Sequence, residues 1–186
     1  SPDRNIFYSS YLSTYVERDV RELSGSVDAL KFNRFVTAVA ARCSQLLNYK
    51  ALADDADIDM PTAKNWVNIL ETLGIIFLLH PYSNNVLKRT IKTPKVYFYD
   101  TGLVCYLTRW SSPEVAESGA MSGALLENFT VSEIMKSYQN AGLEPYLYFY
   151  RDRDAKEIDV ILEGDGKLCP LEIKKTATPD KRLTRV

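Results

Sequence analysis

Residues 156–174 read KEIDVILEGDGKLCPLEIK, and this stretch decides the fold of the C-terminal part of the chain. An Asp-Gly pair at positions 165–166 stands between two apolar segments, which predicts a β-hairpin with a two-residue turn of type I′. In such a hairpin Gly164 faces Lys167. The partner of every other residue in the two strands then follows by counting outward from the turn.

The register of this hairpin brings charged side chains together. The count places Asp159 opposite Glu172 in a non-hydrogen-bonded pair, in which the Cα atoms lie about 4.5 Å apart. It also places Glu157 opposite Lys174. Because side chains alternate along a strand, Glu172 and Lys174 share one face. Two carboxylates and one ammonium are therefore expected to converge on one spot.

Two kinds of role fit such a cluster. Two neighbouring carboxylates repel each other unless a cation or a shared proton offsets them. A divalent ion such as Mg²⁺ or Mn²⁺ accepts oxygen ligands and bridges phosphates, and Lys174 beside it could orient or deprotonate the attacking water. A salt-bridged strand pair on a solvent-exposed face explains the same residues without any chemistry. The residues alone leave both interpretations open.

Asp159, with Glu172 and Lys174 in a Glu-x-Lys triplet, resembles the D…(D/E)-x-K core of the PD-(D/E)XK nuclease-like superfamily. That fold also has an acidic residue on the helix before its three strands, and Glu127 matches this position. The resemblance implies Mg²⁺ or Mn²⁺ as cofactor. The implied metal ligands are Glu127, Asp159 and Glu172, and the implied catalytic residues are Asp159, Glu172 and Lys174.

A wider resemblance covers nearly the whole chain. The segments that carry it are YLSTYVERDV at 11–20, SQLLNY at 44–49 and TPKVYFYDTGL at 93–103. They are similar to the C-terminal half of a large group of predicted bacterial and archaeal AAA-type ATPases. In that group an N-terminal ATPase module precedes a domain of unknown function with a nuclease-like end. The ATPase module of a parent protein is thus the implied partner.

Two functions are compatible with this resemblance. One is metal-dependent hydrolysis of DNA phosphodiesters by the nuclease-like domain. The alternative is a non-catalytic platform that binds DNA or protein and is coupled to the ATPase. No Gly-x-x-x-x-Gly-Lys-Ser/Thr motif occurs, so this chain is not expected to bind ATP in the P-loop manner.

The first 110 residues predict helices followed by a winged-helix unit. Apolar periodicity indicates helices at 6–23 and from Asn33, the expected cap, to about 47. A helix-turn-helix is expected at 49–73, with wing strands at 75–79, 86–91 and 95–99 and a short helix at 101–108. The turn carries four aspartates that would repel phosphate, which favours protein contact over base reading and disfavours a plain transcription factor. These aspartates are Asp54, Asp55, Asp57 and Asp59.

The predicted fold class is α/β, of the α+β kind. A helical linker and winged-helix region is expected at 1–110, then a linker, then a PD-(D/E)XK nuclease-like αβββ unit at 120–186. This unit combines a helix at 122–139, a strand at 146–150 and the hairpin. Since the chain stops at Val186, soon after the third core strand, we expect the nuclease fold to be truncated and the chain to be a fragment or a product with a disordered or removed tail.

Composition sets broader limits. A net charge of −1 argues against a nucleic-acid-binding surface over the whole molecule, although lysines and arginines concentrate at 84–110 and from 167 onward and could contact phosphates locally. Three widely spaced cysteines suggest neither a zinc site nor a disulfide framework. His80 is the only histidine and is expected to be structural. Without a signal peptide or a membrane-length apolar run, a cytoplasmic location with no membrane partner is expected.

Overall fold

The computed structural model of the chain describes residues 3–25, 27–82, 92–152, 154 and 156–175. The helices are α1 Arg4–Tyr11, α2 Glu17–Ser24, α3 Ala29–Ala40, α4 Tyr49–Ala56, α5 Met60–Thr72, α6 Thr101–Leu107, α7 Pro113–Ser118 and α8 Ser122–Asn140, with a π-helical turn at Leu12–Val16. The strands are β1 Ile76–Leu79, β2 Lys95–Phe98, β3 Leu147–Arg151, β4 Glu157–Gly164 and β5 Lys167–Leu171. This mixture of helices with two small antiparallel sheets confirms the predicted α/β class.

The N-terminal helices pack around one apolar core. Phe32 and Phe35 of α3 contact the Trp66 ring of α5 edge-on, with centroids 5.3 Å apart in both pairs. The expected cap of α3 at Asn33 was wrong, because the helix begins one turn earlier. Its N-cap is Asp28, whose carboxylate accepts hydrogen bonds from the amides of residues 30 and 31.

The predicted helix-turn-helix is present as α4 and α5. The turn between them uses Asp57 in the left-handed conformation, with φ 54°, and Asp59 caps α5 by accepting from the Thr62 amide at 2.8 Å. Strands β1 and β2 follow as an antiparallel pair, in register from Ile76 with Phe98 to Leu79 with Lys95. The wing strand expected at 86–91 lies outside the described residues.

Both faces of the β1–β2 pair are buried, and they enter different cores because side chains alternate along each strand. The core of the N-terminal helices receives Ile76, Val96 and Phe98. A second core, shared with α8, β3 and β4, receives Phe77, Leu79 and Tyr97. The pair therefore forms a common wall between the N-terminal helices and the C-terminal unit.

The segment expected to be a linker contains a helix. Ser112 caps α7 by accepting from the Val115 amide, and Pro113 occupies the first turn, where its missing N–H costs no hydrogen bond. Helix α7 then packs against α8. The linker prediction was wrong because Ser112 and Pro113, which begin a helix here, were interpreted as loop residues.

The C-terminal unit is an antiparallel sheet of order β3-β4-β5 with α8 beside it. Asp165 and Gly166 both have positive φ, 51° and 70°, as a type I′ turn requires, and Gly164 pairs with Lys167 as predicted. The chain after β1 also joins this sheet, since the Phe149 amide donates to the His80 carbonyl at 3.2 Å. The contact uses the backbone of His80, whose side chain is exposed, so the structural role expected for that side chain stays a prediction.

Candidate functional site

The structure brings Asp159, Glu172 and Lys174 together. The Lys174 ammonium lies 2.8 Å from Glu172 Oε2 and 3.6 Å from Asp159 Oδ2. The β4–β5 ladder ends with Val160 opposite Leu171, one pair before Asp159 and Glu172. The chain leaves the ladder there because Asp159 Oδ2 accepts the Ile173 amide at 2.8 Å.

Glu157 does not face Lys174, so that part of the register prediction was wrong. Since strand pairing stops at Leu171, Lys174 is free to turn toward Glu172. The Glu157 carboxylate instead lies 2.6 Å from the Lys95 ammonium and 3.2 Å from the Arg151 guanidinium. Glu157 is therefore paired with cations on β2 and β3.

Glu127, the acidic residue predicted on the preceding helix, lies in the first half of α8. Its Oε1 atom accepts hydrogen bonds from Lys95 Nζ at 2.9 Å and from the Tyr97 hydroxyl at 2.6 Å. The next residue, Asn128, fixes the helix to β2, because its side chain accepts from the Phe98 amide and donates to the Phe98 carbonyl. Asn128 is a positioning residue that sequence reasoning missed.

Lys95 is the centre of this cluster. The residue is only 3% exposed, and its ammonium bridges Glu127 and Glu157. Burial alone would lower the pKa of Lys95, but the attraction of Glu127 and the hydrogen bonds of both glutamates outweigh it and hold the pKa above its ordinary value. The expectation that Lys95 belongs to a basic surface patch was wrong, because β2 places it in the interior.

The carboxylates of this cluster share one electrostatic environment. Burial raises the pKa of the Tyr97 hydroxyl, and the negative charges of Glu127, Asp159 and Glu157 raise it further. Tyr97 therefore stays protonated and donates to Glu127. At the exposed end, the hydrogen bond to Glu172 raises the pKa of Lys174, which keeps its side chain an ammonium at neutral pH.

The carboxylates implied as metal ligands are engaged by cations of the protein itself. Glu127 binds Lys95, while Asp159 and Glu172 bind Lys174. Within the described ranges, no three acidic, histidine or cysteine side chains are placed so that they could hold one metal ion. The residues in this arrangement do not fit a divalent cation.

Several other charged residues named in the sequence analysis form contacts within the described part of the chain. Three of the four turn aspartates form salt bridges, which are Asp54 with Lys50, Asp55 with Arg42 and Asp57 with Lys31. In the C-terminal basic run, the Lys175 ammonium donates to the carbonyl of Glu117 at the end of α7. The basic residues at 83–91 and 176–186 lie outside the described residues.

Comparison with known proteins places the chain among domains of unknown function. Residues 1–114 match the Domain of unknown function DUF8612, and the chain belongs to that family. Residues 122–186 match a second family, the Domain of unknown function DUF4143.

Two curated relatives are "Uncharacterized protein Mb2031c" of Mycobacterium bovis and "Uncharacterized protein Rv2008c" of Mycobacterium tuberculosis, each 30% identical over 178 residues. The match covers 95% of this chain but 39% of each relative, so the chain spans about two fifths of their length. No solved structure matches. No helix in the described part of the chain is both long enough and apolar enough to cross a membrane.

Proposed function

We propose that this chain is a non-catalytic, nuclease-like module that binds a protein or DNA partner and is coupled to an N-terminal AAA-type ATPase in its parent protein. The observation that carries the proposal is the Lys95 ammonium, which is buried between Glu127 and Glu157. In the resembling nucleases a divalent ion offsets the charge of the clustered carboxylates. Here a lysine side chain does so.

The charges of the cluster support this proposal. Four carboxylates stand against three cations in the described site, so little negative charge is left to attract a metal. A metal that bound Glu127 through Oε1 would have to compete with both an ammonium and a hydroxyl for that atom. Displacing them would also leave the buried Lys95 ammonium with Glu157 as its one remaining carboxylate partner in the described site, which is costly.

The state of Lys174 argues in the same direction. A lysine that activates water as a base needs a lowered pKa, so that its neutral form is populated near pH 7. The hydrogen bond to Glu172 does the opposite and raises the pKa of Lys174. The Glu-x-Lys triplet is thus suited to hold the end of the hairpin in place.

A continuous set of contacts supports coupling to an N-terminal ATPase. The Tyr8 hydroxyl of α1 donates to Asp100 Oδ2 at 2.8 Å, and Asp100 caps α6. Thr101, the next residue, accepts from Asn128 Nδ2 at 2.9 Å. Asn128 stands beside Glu127 on α8. A displacement of α1, the segment expected to join the ATPase, would reach the site through these groups.

The test is a Mn²⁺ titration and a DNA cleavage assay on the full-length parent protein. Wild type is compared with Asp159→Asn and Lys174→Met, and Lys50→Met serves as a surface control. We expect no stoichiometric Mn²⁺ binding at the site and equal background cleavage in all four proteins. Metal-dependent cleavage by wild type that is lost in both site variants but kept in the control would overturn the proposal.

Coupling has its own measurement. We expect Asn128→Ala to alter the ATPase rate of the full-length protein, because it removes the hydrogen bond between Asn128 of α8 and Thr101 of α6. Asp159→Asn should leave that rate unchanged, because Asp159 lies outside this path. An unchanged rate in Asn128→Ala, with the fold intact, would contradict the coupling.

A second candidate is hydrolysis of DNA phosphodiesters with Mg²⁺ or Mn²⁺. The observation that favours it is the convergence of Asp159, Glu172 and Lys174 at the end of the hairpin, with Lys174 2.8 Å from Glu172. In this alternative Glu127, Asp159 and Glu172 would hold the ion, and Lys95 would have to withdraw from Glu127. Mn²⁺ binding that becomes tighter in Lys95→Met would support this candidate.

A further inference from the structure

A cleft runs along α3. Its first part lies between α3, the end of α6, and α1 with the π-helical turn, and its second part is lined by α3, the residues just after it and Asp55 of α4. It consists of two adjoining cavities of about 420 and 450 Å³. Three residues line both cavities and so connect them: Asn33 and Thr37 on α3, and Arg109 just after α6. The cleft lies apart from the carboxylate cluster, since none of that cluster's residues lines it.

The lining of the cleft is positively charged, although the chain as a whole has a net charge of −1. Its cations are Arg34, Arg42 and Arg109. The single carboxylate in the described lining belongs to Asp55, which Arg42 already holds at 2.6 Å. Arg34 and Arg109 have no carboxylate partner in the described lining, although Arg34 also acts on nearby Asp57, whose pKa is lowered mainly by Lys31. Arg109 lines both cavities, and its guanidinium charge favours an anionic ligand.

Arg109 has an unusual backbone conformation for its residue type. It stands just after α6 with φ 64°, and its amide donates to the Tyr106 carbonyl at 3.2 Å. The following amide, of Trp110, donates to the Cys105 carbonyl at 2.8 Å, which completes a Schellman motif. Glycine is the usual residue at this position because the left-handed region is unfavourable for other residues. The guanidinium of Arg109 is exposed and makes no hydrogen bond or ion pair with any residue that the structure describes.

Hydroxyl groups also line the cleft. Ser9 and Ser13 lie on the α1 side, Thr37 lies on α3, and all three are exposed. A guanidinium offers a planar pair of donors that matches a phosphate, and hydroxyls can donate to the remaining oxygens. We propose that this cleft binds a phosphate group, which would link α1 to α3 through Arg109, Thr37 and the two serines.

The phosphate could belong to a free nucleotide or to a DNA backbone, and the chemistry of recognition is the same. Binding is measured by calorimetry and by thermal unfolding with three probes: inorganic phosphate, a mononucleoside monophosphate and a short DNA duplex. Wild-type chain should bind inorganic phosphate with a dissociation constant in roughly the millimolar range. No binding of any of the three probes by wild type would overturn the proposal.

Variants of Arg109 separate binding from folding. Arg109→Ala should weaken phosphate binding by about tenfold, the loss of one charge-assisted contact. Arg109→Gly should weaken binding equally, yet raise Tm by roughly 2–4 °C, because glycine relieves the left-handed conformation. Arg21→Ala removes the same charge on α2 away from the cleft and should bind like wild type. Equal binding by wild type and both Arg109 variants would overturn the proposal.

The source of the phosphate follows from the same variants. If the mononucleotide binds more tightly than inorganic phosphate and the duplex is unaffected by Arg109→Ala, the ligand is a small phosphorylated molecule. If Arg109→Ala weakens duplex binding and reduces its dependence on salt, the ligand is a DNA backbone. Either result supports a phosphate site in the cleft.

Discussion

The carboxylate of Asp159 accepts the backbone amide of Ile173 at the point where β5 leaves its ladder with β4. The Asp159 side chain thus binds the Ile173 amide, which would donate to the backbone of β4 if β5 continued. The Glu-x-Lys triplet is thereby turned so that Lys174 reaches both Glu172 and Asp159. An acidic residue in this position has a structural task whether or not it has a chemical one.

Replacing Asp159 should reveal that task. Asp159→Ala leaves the half-buried Ile173 amide without its acceptor, so we expect it to lower the free energy of unfolding by about 1–3 kcal/mol. Asp159→Asn keeps an acceptor oxygen and should cost less than the alanine variant. Urea unfolding measures both, and hydrogen exchange at the Ile173 amide should quicken only in Asp159→Ala. Equal losses in the two variants would contradict this role.

Replacing Lys95 should be among the most damaging single changes in the chain. Lys95→Met removes the cation between Glu127 and Glu157 while keeping the length of the side chain. Because the two glutamates are partly exposed, we expect a loss near the lower end for a broken buried pair, about 3 kcal/mol. Urea unfolding at pH 7 measures it.

The control for this variant is Lys50→Met. Its salt bridge with Asp54 is exposed, with 74% and 64% of the side chains accessible, and should contribute less than about 1 kcal/mol. A loss in Lys95→Met no larger than in this control would show that the buried network contributes nothing to stability.

Gly102 is required for the contact between α1 and α6. A Cβ atom there would clash with the Tyr8 hydroxyl and lie 3.0 Å from Asp100 Oδ1. Gly102→Ala should therefore break the Tyr8–Asp100 hydrogen bond and lower the free energy of unfolding by about 1–3 kcal/mol. Gly123→Ala, in the first turn of α8 with open space around it, should not destabilise the chain.

The clash can be tested with a double variant. Tyr8→Phe removes the hydroxyl that Gly102→Ala would displace, so the two changes should cost less together than the sum of their separate effects. If the losses in the free energy of unfolding are additive, the alanine at position 102 does not act through the Tyr8 hydroxyl.

Alkaline pH should destabilise the folded chain. Burial raises the pKa of the Cys43 thiol to about 12, and the pKa of Tyr8, Tyr97 and Lys95 is also raised. A group whose pKa is higher in the folded state stabilises it fully below the pKa of the unfolded chain, and this contribution is lost as pH rises. The free energy of unfolding should begin to fall near pH 8.5, the ordinary pKa of a thiol, and should fall more steeply near pH 10.

Urea midpoints at pH 7, 8.5, 10 and 11 measure this dependence. Cys43→Ala, although less stable at pH 7, should lose less between pH 8.5 and 10 than wild type. Midpoints that stay constant up to pH 11 would contradict the prediction.

The hairpin could be predicted from the sequence because its determinants are local. Asp165 and Gly166 fix the turn type, and the turn fixes the register as far as Leu171. Extending that register predicted that Asp159, Glu172 and Lys174 converge, and they do so just beyond the last pair of the ladder. The α/β class follows from periodicity in the same way, since long amphipathic segments are distinguished from short alternating ones.

The remainder of the site depends on contacts between distant parts of the chain. Glu157 does not pair with Lys174 as predicted, because the Asp159 side chain competes with strand pairing. Counting residues outward from the turn cannot predict such a side-chain contact. Lys95 is bound by Glu127 and Glu157, which come from α8 and β4. One signal was present: Lys95 lies two residues before Tyr97 in an apolar strand, so a buried face was available to it.

Because β1 and β2 contribute to both cores, they limit where the chain can be divided into fragments that fold. The two family matches suggest a cut between residues 114 and 122. The shorter, C-terminal piece would then lack β1 and β2, which complete its core. The longer, N-terminal piece would expose Phe77, Leu79 and Tyr97 to solvent. Each piece would expose an apolar surface that promotes aggregation. A fragment designed to express the C-terminal unit should therefore begin before β1.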